Sequence, residues 1–282
     1  MAGSMPPVQR LGTPIPVSTR AARLLASAAI AAALALSVAA CKTTDGDVTG
    51  SIGGTQKPVS EGDWRRSLDV WGERYQANPG DAEAAIAYAR ALRATEQRAQ
   101  AVAVLEQASI RNPQNQRLLG AYGRALAEAG QYVQALEALK KAHTPDNPDW
   151  RILNAQGAVL DQMGRHVEAR RIYSAALKIV PNEPSILSNL GLSYALEKNL
   201  KQAESTLRRA ASQPGASPKV RQNLALVVGL QGRFAEAEKI AGANLPPDQA
   251  DANVGYLREM LARQGAAKGG QPPYVLTPDA GS

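Results

Sequence analysis

Apolar and polar positions divide the chain into four stretches. Residues 24–40 (LLASAAIAAALALSVAA) are apolar without a break and run into Cys41. Residues 42–60 (KTTDGDVTGSIGGTQKPVS) hold too little apolar surface to offset chain entropy, so a flexible tether is expected over 41–59. Apolar residues then return at helical spacing from about 60 to 264, and 265–282 (GAAKGGQPPYVLTPDAGS) is loose again. The helical stretch repeats itself. The pairs Tyr88-Ala89, Tyr122-Gly123, Gln156-Gly157, Leu190-Gly191 and Leu224-Ala225 each lie 34 residues after the last. Twelve residues beyond each pair's second member stand Ala101, Ala135, Ala169, Ala203 and Ala237. Leu105, Leu139, Tyr173, Leu207 and Ala241 come four positions later. Gly130, Gly164 and Gly232 share one place between two helical stretches, and Pro113, Pro148 and Pro181 fall near repeat ends. Small residues facing large ones at fixed spacing predict antiparallel helix pairs in close contact, stacked as a solenoid.

Composition narrows the chemistry. Of 282 residues 52 are Ala and only 4% are aromatic, too few to furnish a β-sandwich or barrel core. One Cys and two His exclude zinc, iron–sulfur and disulfide frameworks, and no cofactor is expected. The formal charge of +7 includes three arginines (Arg10, Arg20, Arg23) and no acid in residues 1–40, leaving 7 − 3 = +4 from Cys41 onward. That is a mild bias, so nucleic acid is not an expected partner. There is no phosphate-binding loop, nucleophile elbow or dinucleotide fingerprint, and His143 and His166 read as surface histidines. Glu168, Glu204 and Glu236 recur along the second helices, which suits a structural role better than acid–base chemistry. An enzyme is not expected.

The periodic residues resemble the tetratricopeptide repeat (TPR). The best copy is 150–183, with Trp150, Leu153, Gly157, Leu160, Ala169, Tyr173, Ala176 and Pro181; it departs from the family pattern where Leu153 replaces Trp and at Gln156. The resemblance implies an all-α, right-handed superhelix of helix-turn-helix units after the tether. Its expected parts are a half repeat over 60–81, repeats 82–115, 116–149, 150–183, 184–217 and 218–251, and a capping helix within 248–264, leaving 265–282 disordered.

In this family the first helix of each repeat lines a concave groove. Carried over, the inward places give Arg90 and Arg93 in the first repeat, Arg117 and Arg124 in the second, Arg151 and Asn154 in the third, Leu192 and Leu196 in the fourth, and Leu226 and Leu230 in the fifth. Arginines at one end would grip carboxylates, leucines at the other would receive an apolar segment, and Asn189 and Asn223 would hydrogen-bond a peptide backbone. The expected partner is thus a protein segment with an acidic portion beside a hydrophobic one. Other readings stay open: the asparagines as braces between helices, the arginines as a solvated face, the leucines as the seat of the C-terminal helix. The carboxylate clamp of chaperone-binding TPR domains needs Lys and Asn where Ile86 and Arg90 stand, so it is not carried over.

The leader has its own resemblance. A charged flank, an apolar run and Val38-Ala39-Ala40-Cys41 are similar to a secretory signal peptide ending in a bacterial lipobox, over 1–40. This implies cleavage before Cys41, lipid on its sulfur and amino group, and durable membrane attachment. An uncleaved anchor or an ordinary thiol is the alternative. Lys42, in place of an inner-membrane retention Asp, points to the periplasmic face of the outer membrane, and Met5 is as good a start as Met1. Lipobox, Gly/Thr-rich tether, the opening DWRRSLDVWGERYQANPGDAEAA and about five repeats together resemble the TPR lipoprotein of the tight-adherence (Flp) pilus and secretion system. That implies a pilotin-like assembly factor binding the secretin or another pilus or secretion subunit. The alternative is a TPR scaffold in outer-membrane-protein or envelope biogenesis.

Overall fold

The computed structural model describes residues 60–242, together with Gly255, Arg258, Glu259, Leu261 and Ala262, which are helical. The chain divides into two units, Met1–Thr43 and Thr44–Ser282, and every described residue belongs to the second. Among the described residues all regular structure is helical. The helices are α1 (Glu61–Ala77), α2 (Ala82–Ala94), α3 (Arg98–Arg111), α4 (Gln116–Glu128), α5 (Tyr132–Lys141), α6 (Trp150–Gln162), α7 (His166–Ile179), α8 (Pro184–Leu196), α9 (Leu200–Ala211), α10 (Pro218–Leu230) and α11 (Phe234–Gly242). Even-numbered helices from α2 to α10 begin 34 residues apart, and so do the odd-numbered ones from α3 to α11. The tether, the leader with Cys41 and most of the capping helix lie outside the described residues.

Local chemistry sets this register. The residue before each even-numbered helix is Asp81, Asn115, Asp149, Glu183 or Ser217, and the first four turn a side-chain oxygen onto a free N–H of the first turn. Pro184 and Pro218 open α8 and α10, where a missing N–H costs nothing. Ser60 caps α1 through a reciprocal box with Asp63. Each even-numbered helix ends in one type of turn. Glu96, Gly130, Gly164, Lys198 and Gly232 sit in left-handed backbone, with φ between 63° and 81°. The next residue's N–H then reaches back to Leu92, Leu126, Leu160, Tyr194 or Val228 and closes a Schellman cap. Glycine meets this demand at three of the five turns, whereas Glu96 and Lys198 adopt it against the preference of a side chain.

Packing inside a repeat obeys the small-against-large pattern. Ala101, Ala135, Ala169, Ala203 and Ala237 are all fully buried. Opposite the large residue of the second helix, three repeats carry glycine because nothing larger fits. A Cβ on Gly123 would lie 2.6 Å from Leu139, one on Gly191 2.6 Å from Leu207, and one on Gly157 2.4 Å from the Tyr173 ring. The outer repeats carry Ala89 with Leu105 and Ala225 with Ala241 on the same places, all of them buried. At the N-terminal end α1 covers α2: Gly72 sits against Tyr88, and Tyr75 stacks on Tyr88 at 5.9 Å. At the other end Arg258 lies over the Phe234 ring and pairs with Glu238 of α11.

The buried apolar residues form a large cluster from Ala85 to Leu190, a second from Ala195 to Ala241, and a small third of Leu187, Ala210 and Val220. The boundary between the first two falls in α8, and polar groups concentrate there. Ser193 stands where the other repeats place Ala91, Ala125, Val159 and Val227.

Candidate binding face

The even-numbered helices lie side by side, and the ninth residue of each gives the row Arg90, Arg124, Ala158, Leu192 and Leu226, all partly exposed. Leu196 and Leu230, four residues further along their helices, are partly exposed too. One row therefore runs from guanidinium groups through a small residue to leucines. At the leucine end α8 carries no Asp, Glu, Lys, Arg or His, whereas α10 carries Lys219 and Arg221 in its first turn. None of the four leucines belongs to the buried core.

Much of the polar chemistry along these helices is already engaged between neighbouring repeats. Arg117 donates to Glu83 at 2.7 Å, and Arg93 makes a forked contact with Glu128, 2.7 Å at Nε. Asn189 donates to Asn154 Oδ1 at 3.0 Å, and Asn223 donates to Ser188 Oγ at 3.0 Å. Arg90 stacks on Trp64 of α1 at 5.5 Å and Arg151 on Trp150 at 4.5 Å. The asparagines are thus braces between helices in this structure, and a peptide backbone would have to displace their partners. A sequence pattern cannot reveal this, because the partner lies 35 residues away and is itself ordinary.

The histidines correct the sequence reading. His166 is not a free surface group; its Nδ1 lies 2.9 Å from Asp161 Oδ1, and its side chain is 19% exposed. Asp161 also accepts from Ser193 (2.8 Å) and Tyr173 (3.0 Å). Burial raises its carboxyl pKa above the usual range, although the three hydrogen bonds pull the other way. Tyr173 is held neutral, chiefly by its own burial and then by the Asp161 charge. The cluster joins α6, α7 and α8, and Arg170 adds to the same junction by pairing with Glu197 at 2.7 Å and lying over Tyr194. His143 sits 3.0 Å from Gln156 Nε2, which also donates to the Leu139 carbonyl. In neither cluster does a serine hydroxyl meet a histidine nitrogen, so neither has the geometry of an activated nucleophile.

A second ionic cluster ties α9 to α11. Glu204 accepts from Arg233 at 2.8 Å, Arg208 at 2.7 Å and Gln231 at 2.8 Å, and Arg208 also reaches Glu236 at 2.6 Å. Burial pushes Glu204 upward, but these hydrogen bonds and the Arg233 charge outweigh it and hold the pKa at about 2.

Comparison with known proteins fits this architecture. The tetratricopeptide-repeat pattern matches residues 92–158 and 126–190. No curated protein sequence matches the chain. Among solved structures the chain is similar to the Cut9–Hcn1 heterotetramer of the APC/C (TM-score 0.59, 15% identity over 72% of this chain and 40% of that one). It therefore spans less than half the length of that relative. It is also similar to PilW, a widely conserved type IV pilus biogenesis factor (TM-score 0.57, 16% identity, 71% of this chain and 91% of that one). Pseudomonas aeruginosa pilF gives a TM-score of 0.51 at 18% identity, over 78% of this chain and 90% of that one. At these identities the likeness is one of fold alone. Residues 92–190 thus carry the tetratricopeptide-repeat pattern, and the same 34-residue helix register runs on through α10 and α11.

Proposed function

We propose that the protein is a lipid-anchored, non-enzymatic adaptor of the bacterial envelope. It captures a segment of a secretin or another pilus or secretion subunit, as a pilotin-like factor of a tight-adherence (Flp) system. The observation that carries this reading is the graded row of the even-numbered helices, with partly exposed Leu192, Leu196, Leu226 and Leu230 beyond Arg90 and Arg124. Such a row suits a partner segment that is apolar at one end and acidic at the other. A fold relative described as a type IV pilus biogenesis factor supports the choice of system, and the lipobox-like leader supports attachment through Cys41. Held at a membrane, the face would raise the local concentration of its target without any chemical step.

The test is a crosslinking pull-down from native envelopes, comparing the wild type with a Leu192→Glu/Leu226→Glu variant whose helicity is checked by circular dichroism. The substitutions remove the apolar area that a partner would cover and place two carboxylates in the contact without counter-charges, so the variant is expected to lose the partner almost entirely. Recovery of a secretin or pilus subunit by the wild type alone supports the proposal. Recovery of barrel-assembly or cell-wall proteins moves the function to envelope biogenesis. Equal recovery by both chains removes this face as the binding surface.

A further inference from the structure

We propose that residues 271–279 of this same chain, QPPYVLTPD, occupy the leucine end of the row when no partner is bound. The inference rests on that face being the docking surface and adds a competitor for it. Three observations point to this occupant.

The first is proximity. Arg258 touches Phe234 and Glu238 of α11, the last helix of the array, and Ala262 is still helical. Beyond it, RQGAAKGGQPP leads to Tyr274. Twelve such residues have a root-mean-square reach of about 19 Å as a Gly-rich coil. Neighbouring packed helices lie about 8–10 Å apart, so Leu226 and then Leu192 fall within one or two spacings of the array's end. A tether that matches its span gives an effective concentration on the order of millimolar.

The second is order. Moving inward from the C-terminal end, the face offers Leu226 and Leu230, then Leu192 and Leu196, then Ala158, and then the arginine-bearing repeats with Arg151 and Arg124. Moving outward from the array, the segment offers Tyr274-Val275-Leu276 and then Asp279. An extended chain advances about 3.1 Å per residue, so Asp279 lies about 9 Å past Leu276, which is about one repeat. With Tyr274 to Leu276 over the leucines, the carboxylate falls toward the guanidinium groups.

The third is stiffness. Pro272, Pro273 and Pro278 bracket the apolar triplet and favour an extended conformation, which lowers the ordering cost of lying along a face.

The test uses the full chain with Cys41→Ser and two engineered cysteine pairs. Leu226→Cys/Val275→Cys reports the proposed contact. Val133→Cys/Val275→Cys is the control, because Val133 is 67% exposed on α5, away from the row. Mild oxidation is expected to close the first pair within one chain about tenfold faster than the second, given the docked effective concentration. Adding Tyr274→Asp/Leu276→Asp is expected to slow it to the control rate. Equal rates for the two pairs overturn the proposal, as does indifference to the aspartates. Disulfides that join only different chains overturn it in favour of a second copy as occupant. No partner capture enters this readout, so its failure is distinguishable from failure of the adaptor reading.

Discussion

Replacing Gly157 by Ala places a methyl group where the Tyr173 ring already is. The new Cβ would stand 2.4, 2.7 and 2.8 Å from three ring atoms, against an ordinary carbon–carbon contact of about 3.5–4.0 Å. Something must move by about 1 Å. The ring cannot pivot freely, because its hydroxyl is 3.0 Å from Asp161, and Asp161 is held in turn by Ser193 and His166. Ala is the better helix former by about 0.8–1 kcal/mol. Overpacking costs about 1–3 kcal/mol, and disturbing a hydrogen bond to a buried carboxylate costs about 1.5–3 kcal/mol more. A net loss of about 2 kcal/mol is expected, a fall in Tm of about 4–8 °C for an array of this size. Urea unfolding monitored by circular dichroism measures it, and hydrogen exchange of the α6 and α7 amides locates it. The Gly157→Ala/Tyr173→Ala variant imitates the Ala225–Ala241 pairing of α10 and α11, and it is expected to fall short of the summed single losses by about 1 kcal/mol. If Gly157→Ala unfolds at the same or higher urea concentration than the wild type, the helices are not in the contact described and the packing argument fails.

The turns and the ionic clusters set further expectations. Lys198→Gly relieves a side chain held at φ 65° and is expected to stabilise by about 0.5–1 kcal/mol, while Gly164→Ala at φ 74° should cost about 1 kcal/mol, both by urea unfolding. Glu204 has a folded pKa of about 2, below its unfolded value of 4.5, so its contribution is complete above pH 4.5 and fades as pH falls toward 2. Glu204→Gln should flatten that loss in α9–α11 exchange protection. Asp161 has the opposite sign: its folded pKa is raised above 3.8, so its junction is expected to gain protection, corrected for intrinsic exchange, as acidification protonates it. Asp161→Ala leaves the Tyr173 and Ser193 hydroxyls without their acceptor and is expected to cost about 2–4 kcal/mol in urea unfolding.

A 34-residue comparison exposes only those features that recur. The alanines at Ala101 and its equivalents and the glycines of the turns repeat in register, so each copy supports the others. Glu96 and Lys198 were hidden because the turn forces left-handed backbone on whichever residue stands there. The Asp161 cluster was hidden for a different reason. Asp161 lies three residues beyond Ala158 of the exposed row, but Ser193 replaces an apolar residue in the next helix and draws the carboxylate into the junction. His166 read as a surface group because burial comes from a neighbouring helix, not from its own turn. The asparagine braces belong to the same class: Asn189 and Asn223 could be seen to recur, but their occupancy by Asn154 and Ser188 could not.

The constant restart of the helices makes the length of the exposed row a discrete quantity. Because both helix series restart every 34 residues, adding or removing one whole repeat keeps every capping residue and every left-handed turn in phase. The face then grows or shrinks by one helix spacing, about 8–10 Å, or roughly three residues of an extended ligand. Any other insertion within a helix pair rotates the downstream helices and breaks the row. Evolution or design can therefore lengthen the exposed row by whole repeats, each added unit bringing its own cap and its own left-handed turn.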